Sequence, residues 1–296
     1  MSRKSVVCFG EVLWDNLPEG RMLGGAPLNV CYHLNRSGID STIITKIGND
    51  KNGCDLLGEL KHLGIKTNFC QISETKPTST VEVFLSEQND VTYEIVEDVA
   101  WDEIEVSEKE LNIVSNADAF VFGSLVARTQ QSKNALLLLS EAAKFKVFDV
   151  NLRAPYYSKE LISQLMSGTN LLKLNQEELN IISEWFGFDK ISIKSALSSI
   201  LEKFSSVNEI ILTRGASGSV YFSGKEFIEY GAKKIKIINT VGSGDAFLAA
   251  FLASKLSGEP VQTALEKATL LSGFVATRSG ACPEYSIENL HEFIND

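Results

Sequence analysis

The stretch Ile238-Asn239-Thr240-Val241-Gly242-Ser243-Gly244-Asp245-Ala246-Phe247 decides how this chain is read. Residues 234–238 before it are few and Ile-rich, which predicts a buried strand. Residues 246–256 after it are apolar, Ala-rich and free of Pro, which predicts a helix. Between them two glycines flank a Ser and one carboxylate follows. Glycine lets the backbone turn sharply and present several N–H groups in one direction. At a helix N-terminus these donors are unpaired and lie at the positive end of the dipole, so they form an anion site. Asp245 is the odd member, because a hole aimed at phosphate gains nothing from a neighbouring negative charge. A base there makes sense if a hydroxyl must lose its proton while attacking a phosphoryl group. On these residues alone, a capped helix after a Gly-rich turn stays open as the other reading.

Outward from this stretch, strands and helices alternate. Residues 6–10 read as a buried strand. Gly24-Gly25-Ala26-Pro27 announces a helix running to about Ser37, with Gly38 as its stop. Residues 41–47 form the next strand, and Asp50 caps a helix over residues 51–63. Further strands are predicted at 119–123, 146–150, 171–174 and 209–213, a hairpin around Ser223-Gly224, and helices at 130–145, 177–186, 192–204 and 261–278. A terminal helix is expected from about Ser286. The pattern predicts an α/β fold with a mainly parallel sheet covered on both faces. Residues 67–101 break the rhythm. Two strands at 80–85 and 91–95, with a turn at 87–90, have no helices to cover them and predict a small separate sheet, a lid or an oligomer interface.

At 296 residues the chain can bury a large core, and 44% hydrophobic with 22% charged residues is ordinary for a soluble enzyme. A net charge of −10 argues against general nucleic-acid or anionic-membrane binding. No apolar run approaches membrane-spanning length, and the first is too short for a signal-peptide core, so a cytoplasmic location is expected. The five cysteines, Cys8, Cys31, Cys54, Cys70 and Cys282, are scattered without a C-x-x-C pair, and the three histidines lack metal-ligand spacing. Free thiols and no zinc site are expected.

In parallel sheets ligands bind beyond the carboxyl ends of the strands. The polar residues expected there are Asp15 after the first strand, Asp149 to Arg153, Lys173 to Glu178, Thr213-Arg214-Gly215 and Gly242 to Asp245. A P-loop, a G-x-G-x-x-G dinucleotide turn and a G-x-S-x-G nucleophile elbow are all absent.

Asn239-Thr240-Val241-Gly242-Ser243-Gly244-Asp245 resembles the D-T-x-G-[AS]-G-D motif of the PfkB (ribokinase-like) carbohydrate kinases. Gly24-Gly25-Ala26-Pro27-Leu28-Asn29 is similar to that family's other motif in its fructokinase form, G-G-A-P-x-N. Gly10-Glu11-Val12-Leu13-Trp14-Asp15, Gly123-Ser124-Leu125, Asp149-Val150-Asn151-Leu152-Arg153 and Lys173-x-Asn175-x-x-Glu178 are similar to fructokinases in the same order. The resemblance spans nearly the whole chain. It implies a single kinase domain over residues 1–296 with a β lid at about 11–26 and 67–102.

It also implies roles. Asp245 matches the general base, expected at an ordinary carboxylate pKa of about 4, and Gly242, Ser243 and Gly244 match the anion hole. Asp15, Gly25, Asn29 and Arg153 match sugar-contacting positions, with Arg128 a weaker candidate. Lys173, Asn175, Glu178, Thr213, Gly215 and Ala281 match the nucleotide side, and Thr269 is a positional guess there. Glu178 would meet Mg²⁺ through water. Where the family usually has Asp, this chain has Asn239, so a K⁺ site there should be weakened. The implied activity is ATP- and Mg²⁺-dependent phosphorylation of a small sugar, D-fructose first, then 2-keto-3-deoxygluconate or ribose. A catalytically silent sugar-binding protein is the rival, and a homodimer through the lid sheet is expected.

Overall fold

A computed structural model of the chain describes residues 3–17, 20–85, 91–189 and 191–286, with 289, 290 and 293. The turn expected at 87–90 and most of the terminal helix expected from Ser286 lie outside the described residues. In chain order the first elements are β1 (Ser5–Phe9), β2 (Leu13–Leu17), β3 (Gly20–Gly24), α1 (Ala26–Arg36), β4 (Asp40–Gly48), α2 (Lys51–His62), β5 (Cys70–Ser73), β6 (Thr80–Leu85) and β7 (Val91–Ile95). Then follow α3 (Glu108–Asn116), β8 (Ala119–Gly123), α4 (Gln130–Ala142), β9 (Lys146–Asp149), α5 (Lys159–Met166), β10 (Leu171–Asn175), α6 (Gln176–Phe186) and α7 (Ile193–Lys203). The chain continues with β11 (Glu209–Thr213), β12 (Ser219–Phe222), β13 (Phe227–Tyr230), α8 (Ser243–Leu256) and α9 (Val261–Ala276).

A nine-stranded sheet runs β13-β12-β11-β10-β9-β8-β1-β4-β5, parallel except for β12 and β13. Successive β1 side chains point to opposite faces. Val6 and Cys8 join a core with Leu28, Leu34, Phe251 and Leu252, whereas Val7 and Phe9 join one with Phe120, Leu136, Phe148 and Ile182. Helix α8 is buried from Asp245 to Ser254 and packs against α1 and α9, as a helix apolar on every side must. A separate four-stranded sheet, β3-β2-β6-β7, forms the small layer. Cys70–Ser73, inside the stretch expected to form the lid, instead pairs parallel with β4 at the edge of the large sheet.

One expected strand does not form. Residues 231–240 have no regular structure, and Ile237 and Ile238 are 56% and 66% exposed. The large sheet ends at β13, and this run does not add to that edge. Its Ile238 and Asn239 N–H groups donate instead to the Ala276 carbonyl at the end of α9. Among the described residues no helix is long and apolar enough to cross a membrane.

Candidate active site

The parallel strands β9, β10 and β11 end side by side, at Asp149, Asn175 and Thr213: Asn175 is the direct register partner of Thr213, and Asp149 that of Lys173, two residues earlier. Helix α8 begins beside them. Gly242 is its N-cap, with φ 76° and no side-chain cap. A Cβ at 242 would lie 2.4 Å from the Ala281 Cβ, so both the backbone angle and the space demand glycine. The Ser243 hydroxyl and the Ser243 N–H both turn back to donate to the Thr240 carbonyl, at 2.7 and 3.2 Å, so the sequence-predicted anion hole keeps Gly242 and Gly244 as its open N–H groups. Lys173 stands behind the turn, its Nζ 3.1 Å from where a Cβ on Gly244 would sit.

That ammonium donates to both Asp149 oxygens, at 2.9 and 2.8 Å. Burial opposes its charge, but Asp149, Glu178 and Asp245 outweigh burial and hold its pKa above the usual lysine value. Asn175 and Glu178 form a reciprocal cap at the start of α6: Glu178 N–H donates to Asn175 Oδ1 at 2.9 Å, and Asn175 N–H to Glu178 Oε2 at 2.8 Å. The Glu178 Oε1 accepts from Leu152 N–H at 2.9 Å, which ties the loop after β9 to the end of β10. Burial keeps the Glu178 pKa raised despite Lys173.

Asp245 is buried one turn into α8 and accepts from Asn29 Nδ2 at 2.8 Å. Its pKa corrects the sequence expectation. Burial, with Asp149 adding, pushes the carboxyl up to about 6, against Lys173, the Asn29 hydrogen bond and Arg153. Sequence gives the residue type but not the dehydration that tunes it. Asp15 also differs from expectation. It sits not at the end of the first strand but within β2 of the small sheet, opposite Met22 and beside Val81, and burial raises its pKa to about 6 against Arg153. Arg153 is exposed, and its charge reaches Glu11, Asp15 and Asp245 alike.

Gly25 starts α1 with φ 114°, and a Cβ there would lie 2.4 Å from the Glu11 carbonyl. Gly215 has φ 53° and is exposed beyond β11. Thr269 lies on α9 with a buried hydroxyl that lacks a partner. Asn239 closes its own turn, its Oδ1 accepting from Val241 N–H at 2.9 Å. Arg128 does not join the set. It grips Asp102 with two 2.7 Å bonds, donates to the Val96 carbonyl and lies 3.9 Å over the Trp101 ring.

Glu11 is the group to which sequence reading assigns no role. It is 2% exposed and has one oxygen without a partner. Burial lifts its pKa to about 7, opposed by its own N–H, by Arg153 and by the Ala26 N–H at the start of α1. The signal was its place after β1, where a carboxylate follows a buried strand. Among the described residues no group of three or more His, Cys, Asp or Glu side chains could hold a metal. The arrangement offers an uncapped helix start with a cation behind it and a buried carboxylate within one turn, which suits in-line attack on an anionic centre.

Residues 19–287 match the family described as pfkB family carbohydrate kinase. The fructokinase of Solanum tuberosum is 26% identical over 313 residues, covering 98% of this chain and 95% of that protein. The fold is shared with the fructokinase of Xylella fastidiosa solved with bound ATP, at a TM-score of 0.85, 18% identity and 99% coverage of both chains. It is shared too with a double mutant of the Vibrio cholerae O395 fructokinase in its fructose-, ADP- and potassium-bound form, at a TM-score of 0.83 and 21% identity, covering 99% of this chain and 98% of that one.

Proposed function

Since the chain belongs to the pfkB family of carbohydrate kinases, and is thereby a sugar kinase acting on an alcohol group, we propose that it transfers the γ-phosphoryl of ATP to D-fructose, giving fructose 6-phosphate. The observation that carries this reading is the Asn29–Asp245 hydrogen bond, 2.8 Å long, at the start of the uncapped helix α8. Asp15, Gly25, Asn29 and Arg153 orient the sugar under the small sheet, which serves as a lid. Asp245 takes the proton of the attacking hydroxyl, and a pKa of about 6 makes it a stronger base than a free aspartate while leaving it ionised at neutral pH. The N–H groups of Gly242 and Gly244 meet the charge on the transferring phosphoryl, a contribution of about 3–4 kcal/mol for a well-aimed donor. The Ser243 N–H, held by the Thr240 carbonyl at 3.2 Å, joins them only by sharing that bond. Lys173, Asn175, Thr213, Gly215 and Ala281 line the nucleotide side, and Thr269 is assigned there by position alone.

Mg²⁺, when bound with ATP, neutralises phosphate charge. Each Glu178 oxygen already accepts one backbone N–H, so the carboxylate suits contact with the ion through water. A monovalent cation at Asn239 fits poorly, because the amide is neutral and its oxygen is engaged by Val241. The edges β3 and β7, which pair with no further strand among the described residues, support a homodimer through the small sheet, which a monomer by light scattering would dismiss. A coupled ADP-release assay over a sugar panel tests the substrate. Fructose should be turned over fastest, with less than about a twofold difference between K⁺ and tetramethylammonium buffers. Brisk turnover of another sugar without fructose refutes the substrate, no turnover of any sugar favours a silent binding protein, and strong K⁺ activation refutes the reading of Asn239.

A further inference from the structure

Asn29, Tyr32, His33 and Arg36 stand at i, i+3, i+4 and i+7 on α1 and so share one face. All four meet a single segment, residues 281–285. Asn29 Oδ1 accepts from the Cys282 thiol at 3.4 Å, and Tyr32 Oη donates to the Pro283 carbonyl at 2.8 Å. The His33 ring bridges Ala281 O, 2.9 Å from Nε2, and Tyr285 Oη, 3.0 Å from Nδ1. Arg36 donates to the Tyr285 carbonyl and its guanidinium lies 5.4 Å over the Tyr285 ring.

The chemistry of these partners fixes the His33 tautomer. A carbonyl only accepts, so Nε2 carries the proton and Nδ1 accepts from the tyrosine hydroxyl. The ring is fully buried, and burial lowers its pKa to about 4, so it stays neutral across the working range. Ala281, the group it holds, presses on Gly242: a Cβ on that glycine would meet Ala281 Cβ at 2.4 Å and Ala281 Cα at 2.7 Å. One turn earlier on the same helix, Asn29 holds Asp245. Helix α1 therefore grips both the start of the anion hole and the base.

We propose that His33 is a positioning residue for phosphoryl transfer: its Nε2–H seats Ala281 against Gly242 and so sets the α8 N–H groups in register with Asp245. This rests on the kinase reading above. It concerns a residue that touches neither substrate and acts through Ala281. Gln can place an amide N–H where Nε2 stands, whereas Asn places its own nearer Nδ1, facing Tyr285.

The test compares H33F, H33Q and H33N in the full chain, with melting temperature measured alongside. In H33F, kcat should fall on the order of tenfold or more and nucleotide KM should rise, since small misplacement of reacting groups is costly. Sugar KM should stay within about twofold, because Asn29 keeps its bond to Asp245. H33Q should recover most of the loss and H33N little of it. A folded H33F with unchanged kcat and nucleotide KM overturns the proposal, as does equal recovery by H33N. If H33F fails to fold, the contrast between H33Q and H33N decides. If the wild type phosphorylates no sugar, the kinase reading fails on its own, and calorimetric binding of a non-hydrolysable ATP analogue still reads the positioning. There, H33N binding as tightly as wild type overturns it, and weaker binding by H33N than by H33Q sustains it.

Discussion

Helices α1 and α8 begin alike and serve differently. Both follow a glycine with positive φ, 114° at Gly25 and 76° at Gly242, and neither N-cap has a side-chain cap. At α1 the positive end is already met, because the buried Glu11 carboxyl takes the Ala26 N–H. At α8 Ser243 turns away to Thr240, and Lys173 adds a cation behind Gly244. The carboxylate nearest α8 belongs to its own first turn, where Asn29 holds it. A glycine-led helix start is thus not in itself an anion site. What lies opposite the N–H groups decides.

The sharpest way to break this contrast is Asp245→Asn. Loss of a general base should lower kcat by about 10³-fold while sugar binding by calorimetry stays nearly unchanged. The wild-type kcat/KM should fall below pH about 6, where Asp245 takes up a proton and stops serving as a base. Unchanged turnover in the variant would remove the base from α8. Next come Gly242→Ala and Gly25→Ala, which impose the same Cβ on the two helix starts. The first should cost on the order of 10²-fold in kcat, because it displaces the N–H groups from the phosphoryl. The second should instead raise sugar KM and lower the melting temperature, because its Cβ meets the Glu11 carbonyl at 2.4 Å. Matching kinetic signatures for both alanines would erase the distinction.

The smallest effect concerns Glu11. Its folded pKa of about 7 lies above the usual glutamate value, so between the two the folded state binds more protons than the unfolded one. Its contribution to stability is complete at acidic pH below the unfolded value and is lost as pH rises through about 7. Glu11→Gln keeps the shape and removes the titration. Its melting temperature at pH 8 should exceed wild type by about 3 °C, with the gap closing towards pH 4. A gap that widens in acid would contradict the buried, half-protonated carboxyl.

Much of this was legible in the residues. Asp50 before its helix and the Ile-rich run after Ile39 carry their structure locally, and Asp245 follows its glycines at a spacing that fixes its place on α8. What stayed hidden depends on distant partners. Residues 234–238 are as β-branched as a real strand, but the run passes the β13 edge without joining it and its end bonds to the last turn of α9 instead. The raised pKa values of Glu11, Asp15 and Asp245 come from burial that no local pattern encodes. Arg128, a bare Arg after a strand in sequence, is claimed by Asp102 and Trp101 from a separate turn. The segments α3 and α5, nine and eight residues long, are too short for periodicity to announce them.

Asn29 and Asp245 are 216 residues apart in sequence. A chain emerging from the ribosome completes β1, α1 and β4 long before α8 exists, and a contact across so much chain forms late. The Asn29–Asp245 pair is therefore absent from every partial product that stops before α8. A fragment truncated before residue 243 lacks α8 and Asp245 altogether, so the proposed phosphoryl transfer has to wait until α8 has been made.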